Sequence, residues 1–330
     1  MKMRLEPTRR ILEALALALV VTCLTGCAST LRIVVAGDGR ANSPPRPEDK
    51  NGLNDVMNHE IARAVLREKA NALLWTGDLV YLTNHDCALF EQELLAWRDI
   101  YQPLYDHGVA VLPARGNHEM ACPDSARVWN EVFSGRYALP TNGPETEKGL
   151  SFYYVLGSVL AVGVDQYQSG KEMIDEPWLD QILRQNKKPF VFVYGHEPAF
   201  MDGHHVDTLD AHPDMRDSVW ESLIHAGARV YFCGHDHFYD HMKVTRASGD
   251  TGPEMHQFTA GTAGAPFYHG GPYQGQNSYW KLTQVKHIDN TNGYILVKIK
   301  GRKATISFKG RTAPDHYESM DTFSYVVGQQ

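Results

Sequence analysis

Five times along this chain an apolar run ends in a glycine followed by a residue that can carry charge or bind a metal. Residues 31–36 lead to Gly37-Asp38, and 72–75 lead to Gly77-Asp78-Leu79-Val80-Tyr81. Residues 109–112 precede Gly116-Asn117-His118-Glu119, 190–194 end at Gly195-His196, and 229–233 end at Gly234-His235-Asp236-His237. Short apolar runs closed by glycine read as buried strands, so each polar group emerges at a strand's carboxyl end. Between these runs, 54–69, 89–101, 177–185 and 215–225 place apolar residues at helical spacing. The alternation predicts an α/β fold with a mixed or largely parallel central sheet. Two hairpins are expected beside it, 152–156 with 159–164 across Gly157-Ser158 and 294–300 with 303–309 across Gly301-Arg302. Residues 41–51, 141–148 and 269–277 read as loops.

Because the polar strand ends run from Asp38 to His237, no domain boundary falls between them without dividing their chemistry. Residues 27–330 are therefore expected to form one domain. Residues 1–26 stand apart. Lys2, Arg4, Arg9 and Arg10 form a basic leader, an apolar stretch follows from Ala14 to Leu24, and Leu24-Thr25-Gly26-Cys27 places small residues before a cysteine. The stretch is short for a membrane span and has the flanks of a signal peptide. It resembles the bacterial lipoprotein signal, which implies cleavage before Cys27, lipid on that cysteine and a periplasm-facing place in the cell envelope. Ala28-Ser29 favours the outer membrane. An uncleaved anchor and a plain secretory signal are the other readings.

The chain carries a net charge of −7, and losing the basic leader would make it more acidic. Nucleic-acid binding, which runs on Lys and Arg, is not expected. An oxidising compartment would permit a disulfide between Cys87 and Cys122, which follow loops at the same sheet edge. Cys233, inside an apolar run, is expected to be a buried thiol.

Taken singly, an Asp after a strand is a helix cap or turn residue, Tyr81 is a packing tyrosine, and His235 and His237 are solvated. Taken together, two Asp, one Tyr, one Asn and three His form the inventory that two cations need, and two cations at one sheet edge point to phosphoester hydrolysis. The five spaced motifs resemble the calcineurin-like metallophosphoesterases, and within them the purple acid phosphatases, over roughly residues 31–240. The general family begins Asp-x-His; here position 40 is Arg. The purple acid phosphatase branch also lacks that histidine and has a tyrosine three residues after the second Asp, where this chain has Tyr81. That branch usually has Gly at the position of Arg40, whose role stays open.

The resemblance implies a four-layer αββα sandwich of two mixed sheets flanked by helices. It implies one metal on Asp38, Asp78, Tyr81 and His237, and a second on Asp78, Asn117, His196 and His235, with Asp78 bridging. A phenolate suits Fe(III), while imidazoles suit Fe(II), Zn(II) or Mn(II). His118 should face the phosphate or protonate the leaving oxygen, while Glu119 and Asp236 should orient ligand imidazoles. His204, His205, Arg40 and, less directly, His85 are candidates for contact with a small phosphorylated substrate. The expected reaction is direct attack on phosphorus by a metal-activated hydroxide in a phosphomonoesterase. A phosphodiesterase or nucleotide-processing enzyme on the same cluster is the alternative, followed by a non-catalytic phosphate- or metal-binding lipoprotein and a structural envelope lipoprotein. No protein partner is indicated. His241, His256, His287 and His316 match no motif and read as surface or structural, and Phe267-Tyr268 and Tyr279-Trp280 as core or pocket wall.

Overall fold

In the computed structural model, residues 30–81, 85–201, 203–249, 252, 254–269 and 279–328 are described. Cys27, the segment before it and the loop residues 270–277 lie outside them. In chain order the elements are β1 (Leu31–Ala36), β2 (Asp49–Lys50), β3 (Leu53–Asn54), α1 (Asp55–Arg67), β4 (Ala72–Trp75), α2 (Cys87–Asp106), β5 (Ala110–Pro113) and α3 (Ser125–Val132). They continue with β6 (Phe152–Leu156), β7 (Val159–Gly163), α4 (Glu176–Gln185), β8 (Phe190–Tyr194), α5 (Pro213–His225), β9 (Val230–Cys233), β10 (Tyr239–Arg246) and β11 (Met255–Ala260). Last come β12 (Trp280–Ile288), β13 (Gly293–Lys300), β14 (Lys303–Ala313) and β15 (His316–Val326).

Two mixed sheets result. One has the order β15-β14-β13-β1-β4-β5, with β1, β4 and β5 parallel; the other runs β12-β10-β11-β9-β8-β7-β6, with β7, β8, β9 and β11 parallel. Side-chain alternation packs them into four layers. In β8, Phe190, Phe192 and Tyr194 join the core shared with the first sheet and with α1 to α3. Val191 and Val193 point the other way, onto Leu179 and Leu183 of α4 and Val219, Trp220 and Leu223 of α5. Period-two alternation thus makes one strand serve two cores. Trp75 meets Trp97 and Tyr101 edge to face, with ring centroids 5.4 Å apart in both pairs, and this locks α2 onto β4.

The helix ends follow local chemistry. Asn54 caps α1 by accepting from Met57 N at 3.0 Å, and Asp86 caps α2 by accepting from Ala88 N at 2.9 Å. Helix α2 is longer than 89–101: the Asp86 cap starts it earlier, and it continues through Pro103 to Asp106. The expectations for β1, β4 and β8 match the structure, and both hairpins form, the second extended by β15. Strands β10, β11, β12 and β15 and helix α3 were not foreseen. Tyr239–Arg246 mixes Asp, His, Lys and Arg with apolar residues, and β15 is largely exposed along an edge, so neither shows an apolar run. Cys87 and Cys122 form the disulfide, and Cys233 is a buried thiol in β9. Among the described residues no helix is long and apolar enough to cross a membrane.

Candidate metal centre at the converging strand ends

The carboxyl ends of β1, β4 and β5 meet those of β8 and β9. Backbone hydrogen bonds tie the loops together: Asp38 N donates to Gly77 O at 3.0 Å, Gly234 N to His196 O at 2.8 Å and Ala263 N to Gly37 O at 3.0 Å. Asp38, Asp78 and His235 all adopt left-handed backbone, with φ of 60°, 52° and 71°. Such conformations cost on the order of 1–3 kcal/mol at non-glycine residues and persist where surrounding structure enforces them. Here they turn each side chain back toward the sheet edge. Gly116 and Gly234 allow the approach, since a Cβ on either would collide with the Asp78 or Asp38 carboxylate.

Around His196 three further ligand atoms converge. Its Nδ1 lies 2.8 Å from Thr76 O, which fixes the proton there and leaves Nε2 as a bare lone pair. That Nε2 stands 3.0 Å from Asn117 Oδ1, 3.2 Å from His235 Nδ1 and 3.4 Å from Asp78 Oδ1. His235 Nε2 faces Glu197 Oε2 at 3.4 Å and Asp207 Oδ1 at 3.6 Å, which favours the proton on Nε2 and frees Nδ1 for the cluster. Lone pairs packed this closely repel unless a proton on His235 Nδ1 or a metal cation joins them. Donor separations of 3.0–3.4 Å match a tetrahedral shell with bonds of about 2.0–2.1 Å. Asp78, Asn117, His196 and His235 therefore fit a metal ion.

Electrostatics agree. Burial works against a charged His235, yet Asp207, Glu197 and Asp78 together raise it to about 9, so the site attracts positive charge. Burial raises the Asp78 carboxyl, but the neighbouring His196 and His118 and the charges of Arg40 and His235 outweigh it and hold Asp78 well below the usual carboxylate range.

The other expected ligands lie beside this group. His237 donates Nδ1–H to Pro266 O at 2.7 Å, and its Nε2 stands 3.6 Å from Asp38 Oδ1. Asp38 accepts from His235 N at 3.2 Å. Tyr81 lies with its ring 4.9 Å from that of His118 and under the guanidinium of Arg40, 5.1 Å from the ring centroid. His118 sits over the cluster, with Nε2 3.9 Å from Asp78 Oδ2 and its backbone N donating to Asp78 Oδ1 at 3.2 Å. Burial, with the Arg40 charge, lowers His118 to about 4 despite Asp78, so it is a neutral imidazole at pH 7.

His204 and His205 both reach the site. His205 stacks on His235 at 3.9 Å, and His204 stacks on Tyr268 at 3.8 Å, whose other face carries His237 at 4.0 Å. Tyr268 is thus a pocket wall. His85 is exposed and, among the described residues, joins none of the site's hydrogen bonds or ion pairs.

Two expectations need correction. Glu119 orients backbone rather than an imidazole: its carboxylate accepts from the N–H groups of Gly116 (2.6 Å), Leu79 (2.9 Å), Asp78 (3.0 Å) and Val80 (3.2 Å). Burial and the Asp78 charge press it toward protonation, and these four donors oppose them. Asp236 holds His205, accepting at Oδ1 from Nδ1 at 2.7 Å. Of the two readings for His241 and His256, surface or structural, burial fits the structural one.

Gln166 and Asp207 were missed. Gln166 Oε1 accepts from the backbone N of His196 and of Glu197, at 2.6 and 2.7 Å. β7 ends at Gly163 and Asp165-Gln166 follow after Val164, so the same signal, an apolar run closed by glycine before polar residues, was present there. Asp207 lies in a loop with no local signal.

Residues 31–239 match the family model for calcineurin-like phosphoesterases. No curated protein sequence matches the chain. Among solved structures, it is similar to a purple acid phosphatase from yellow lupin (Lupinus luteus) seeds, with 13% identity and a TM-score of 0.65 over 91% of this chain. The chain spans about half of that protein, 54%. It is also similar to GAP50, the anchor in the inner membrane complex of Plasmodium, with 13% identity and a TM-score of 0.61 over 91% of this chain and 90% of the other. A dimetal phosphatase from Danio rerio shows 10% identity and a TM-score of 0.56 over 90% and 98% of the two chains.

Proposed function

Since the chain belongs to the calcineurin-like phosphoesterase family, a fold that implies a dinuclear metal centre, we propose that it is a phosphomonoesterase hydrolysing small phosphate esters by direct in-line attack on phosphorus. The single observation that carries the reading is the convergence of Asp78 Oδ1, Asn117 Oδ1 and His235 Nδ1 on His196 Nε2 within 3.4 Å. Iron, zinc or manganese suits this set of carboxylate, amide and imidazole donors. Such a cation supplies Lewis-acid neutralisation of phosphate charge and activation of water.

The chain's own residues do the rest. Glu119 and Gln166 hold the Asp78 and His196 loops in register by their bonds to backbone N–H groups. His118, a neutral imidazole above the cluster, offers its one N–H as a hydrogen bond to a phosphoryl oxygen or to the leaving oxygen, steadying the negative charge that develops there. His205, braced by Asp236, and His204, stacked on Tyr268, wall the opposite side. These donors favour a monoester dianion, which offers more terminal oxygens than a diester.

Initial rates on an aryl phosphomonoester and the matched diester test this. A monoester rate at least about tenfold higher is expected; diester preference moves the assignment to a phosphodiesterase. His118→Asn is expected to lower kcat by about 10²-fold with metal content unchanged.

For the amino terminus, the reading is lipidation at Cys27 after removal of 1–26 and a periplasm-facing place in the envelope. The basic leader and Leu24-Thr25-Gly26-Cys27 support it, as does a disulfide at Cys87–Cys122, since disulfides persist in oxidising compartments. Cys27→Ser should release the protein from the membrane fraction; unchanged fractionation contradicts lipidation.

A further inference from the structure

Arg40 stands among the groups expected to hold the first metal. Its side chain is buried at the turn after β1, where Arg40 bridges to Leu53. Nε donates to Asp78 Oδ2 at 3.1 Å, and one Nη2–H points to His237 Nε2 at 3.3 Å. Because His237 Nδ1 is committed to Pro266 O, Nε2 is the bare nitrogen and accepts. Nη2 also reaches Tyr268 Oη at 3.4 Å, Nη1 donates to Ala41 O at 3.1 Å, and the guanidinium lies over the Tyr81 ring. Three of the four expected ligands, Asp78, Tyr81 and His237, therefore face a guanidinium.

A metal bonded to Asp78 Oδ2 and His237 Nε2 at about 2.1 Å from each would lie in the space that the Arg40 nitrogens fill. It would also meet a charge of its own sign in a buried site, from a group that does not deprotonate. Ion and guanidinium are alternatives. The converse need is equally clear, since two buried carboxylates, Asp38 and Asp78, share this edge and call for a cation.

We propose that Arg40 is the resident cation of the first metal position, so that this chain works with one metal ion, on Asp78, Asn117, His196 and His235, and one guanidinium. The proposal rests on the phosphoesterase reading for the use of the centre but not for its make-up. The guanidinium fixes the Asp78 oxygen not used by the metal. Among the described residues four of its five N–H groups are engaged, which leaves one Nη1–H for a phosphate oxygen. It also places Tyr81 as a platform for a cation rather than as a ferric ligand.

The test is metal content, which does not depend on turnover. The full-length chain is loaded in turn with iron, zinc and manganese, freed of loose metal and counted by elemental analysis. Wild type is expected to retain about one equivalent of metal per chain and Arg40→Gly about two. With ferric iron, Arg40→Gly is also expected to gain a visible charge-transfer band that Tyr81→Phe removes from the double variant. Two equivalents in wild type, or a folded Arg40→Gly still at one, overturns the proposal; if Arg40→Gly does not fold, the wild-type count decides alone. One equivalent with neither ester hydrolysed leaves this proposal standing and refutes the phosphomonoesterase reading.

Discussion

Two pairs of buried histidines stand in this molecule nitrogen to nitrogen, and they have opposite fates. In the metal centre, His196 Nε2 and His235 Nδ1 are 3.2 Å apart; between the sheets, His241 Nε2 and His256 Nδ1 are 2.8 Å apart. The second pair belongs to a closed hydrogen-bond chain. His241 Nδ1 donates to Asp321 Oδ2 at 2.7 Å, which bares its Nε2 for the His256 proton, and His256 Nε2 faces Glu254 at 3.5 Å. Each of the two short contacts in that chain has a donor and an acceptor, and the bare His256 Nε2 stands off from Glu254. In the first pair the outer nitrogens are fixed by Thr76 O on one side and by Glu197 and Asp207 on the other, and the inner nitrogens crowd against two further oxygens with only the Nδ1 proton of a charged His235 among the four atoms, a place that a metal ion can take. Clustering of histidines is common to both; the placement of lone pairs is what suits one of them to a metal.

The sharpest way to break this comparison is Asp78→Asn, which removes the charge that the cluster shares. Retained metal and turnover are expected to fall together, turnover by about 10³-fold; near-normal activity would rule out the centre as described. Glu119→Gln comes next. An amide cannot accept from four N–H groups with two anionic oxygens, so the Asp78 loop loosens and metal affinity is expected to drop by about 10–100-fold, read by competition with a chelator. The corresponding cut in the other cluster, His241→Ala, is expected to leave metal content untouched and to cost about 2–3 kcal/mol of stability in denaturant unfolding, because buried partners lose their bonds. Loss of metal in that variant would mean that the two clusters are coupled.

The smallest effect concerns acid. Burial, with the neighbouring His241, lowers His256 from 6.5 to about 4. A histidine whose folded value is depressed takes up its proton later than the unfolded chain does, so its contribution to stability is lost as pH falls from about 6.5 to about 4. His256→Phe should flatten that part of the stability curve, and an unchanged slope would place the acid sensitivity elsewhere.

How much of this was legible in sequence follows from the same contrast. The candidate metal centre is built from strand-end residues a few positions from their own apolar runs, so local spacing alone places Asp38, Asp78, Asn117, His196, His235 and His237 at carboxyl strand ends, while the fold brings the ends of two sheets together. The His241–His256 chain joins β10 and β11 to Asp321 on β15, a strand of the other sheet with no apolar run to announce it. His241 and His256 accordingly looked unremarkable. Arg40 shows a different limit: sequence marked it as a departure, but only the fold brings His237 and Tyr268 within reach of its guanidinium. Asp207 and Glu197 likewise act on His235 from separate loops. Local spacing reports what one strand delivers, while pairing between strands far apart in sequence decides what meets it.

The central claim is that His196 and His235 hold a catalytic metal while His241 and His256 do not. It is tested most directly by stripping wild type, His196→Ala and His241→Ala with a chelator, restoring metal, and measuring bound metal and aryl phosphate hydrolysis side by side. The expected result is that wild type and His241→Ala recover both, while His196→Ala recovers neither. Recovery of metal and hydrolysis by His196→Ala would contradict the account.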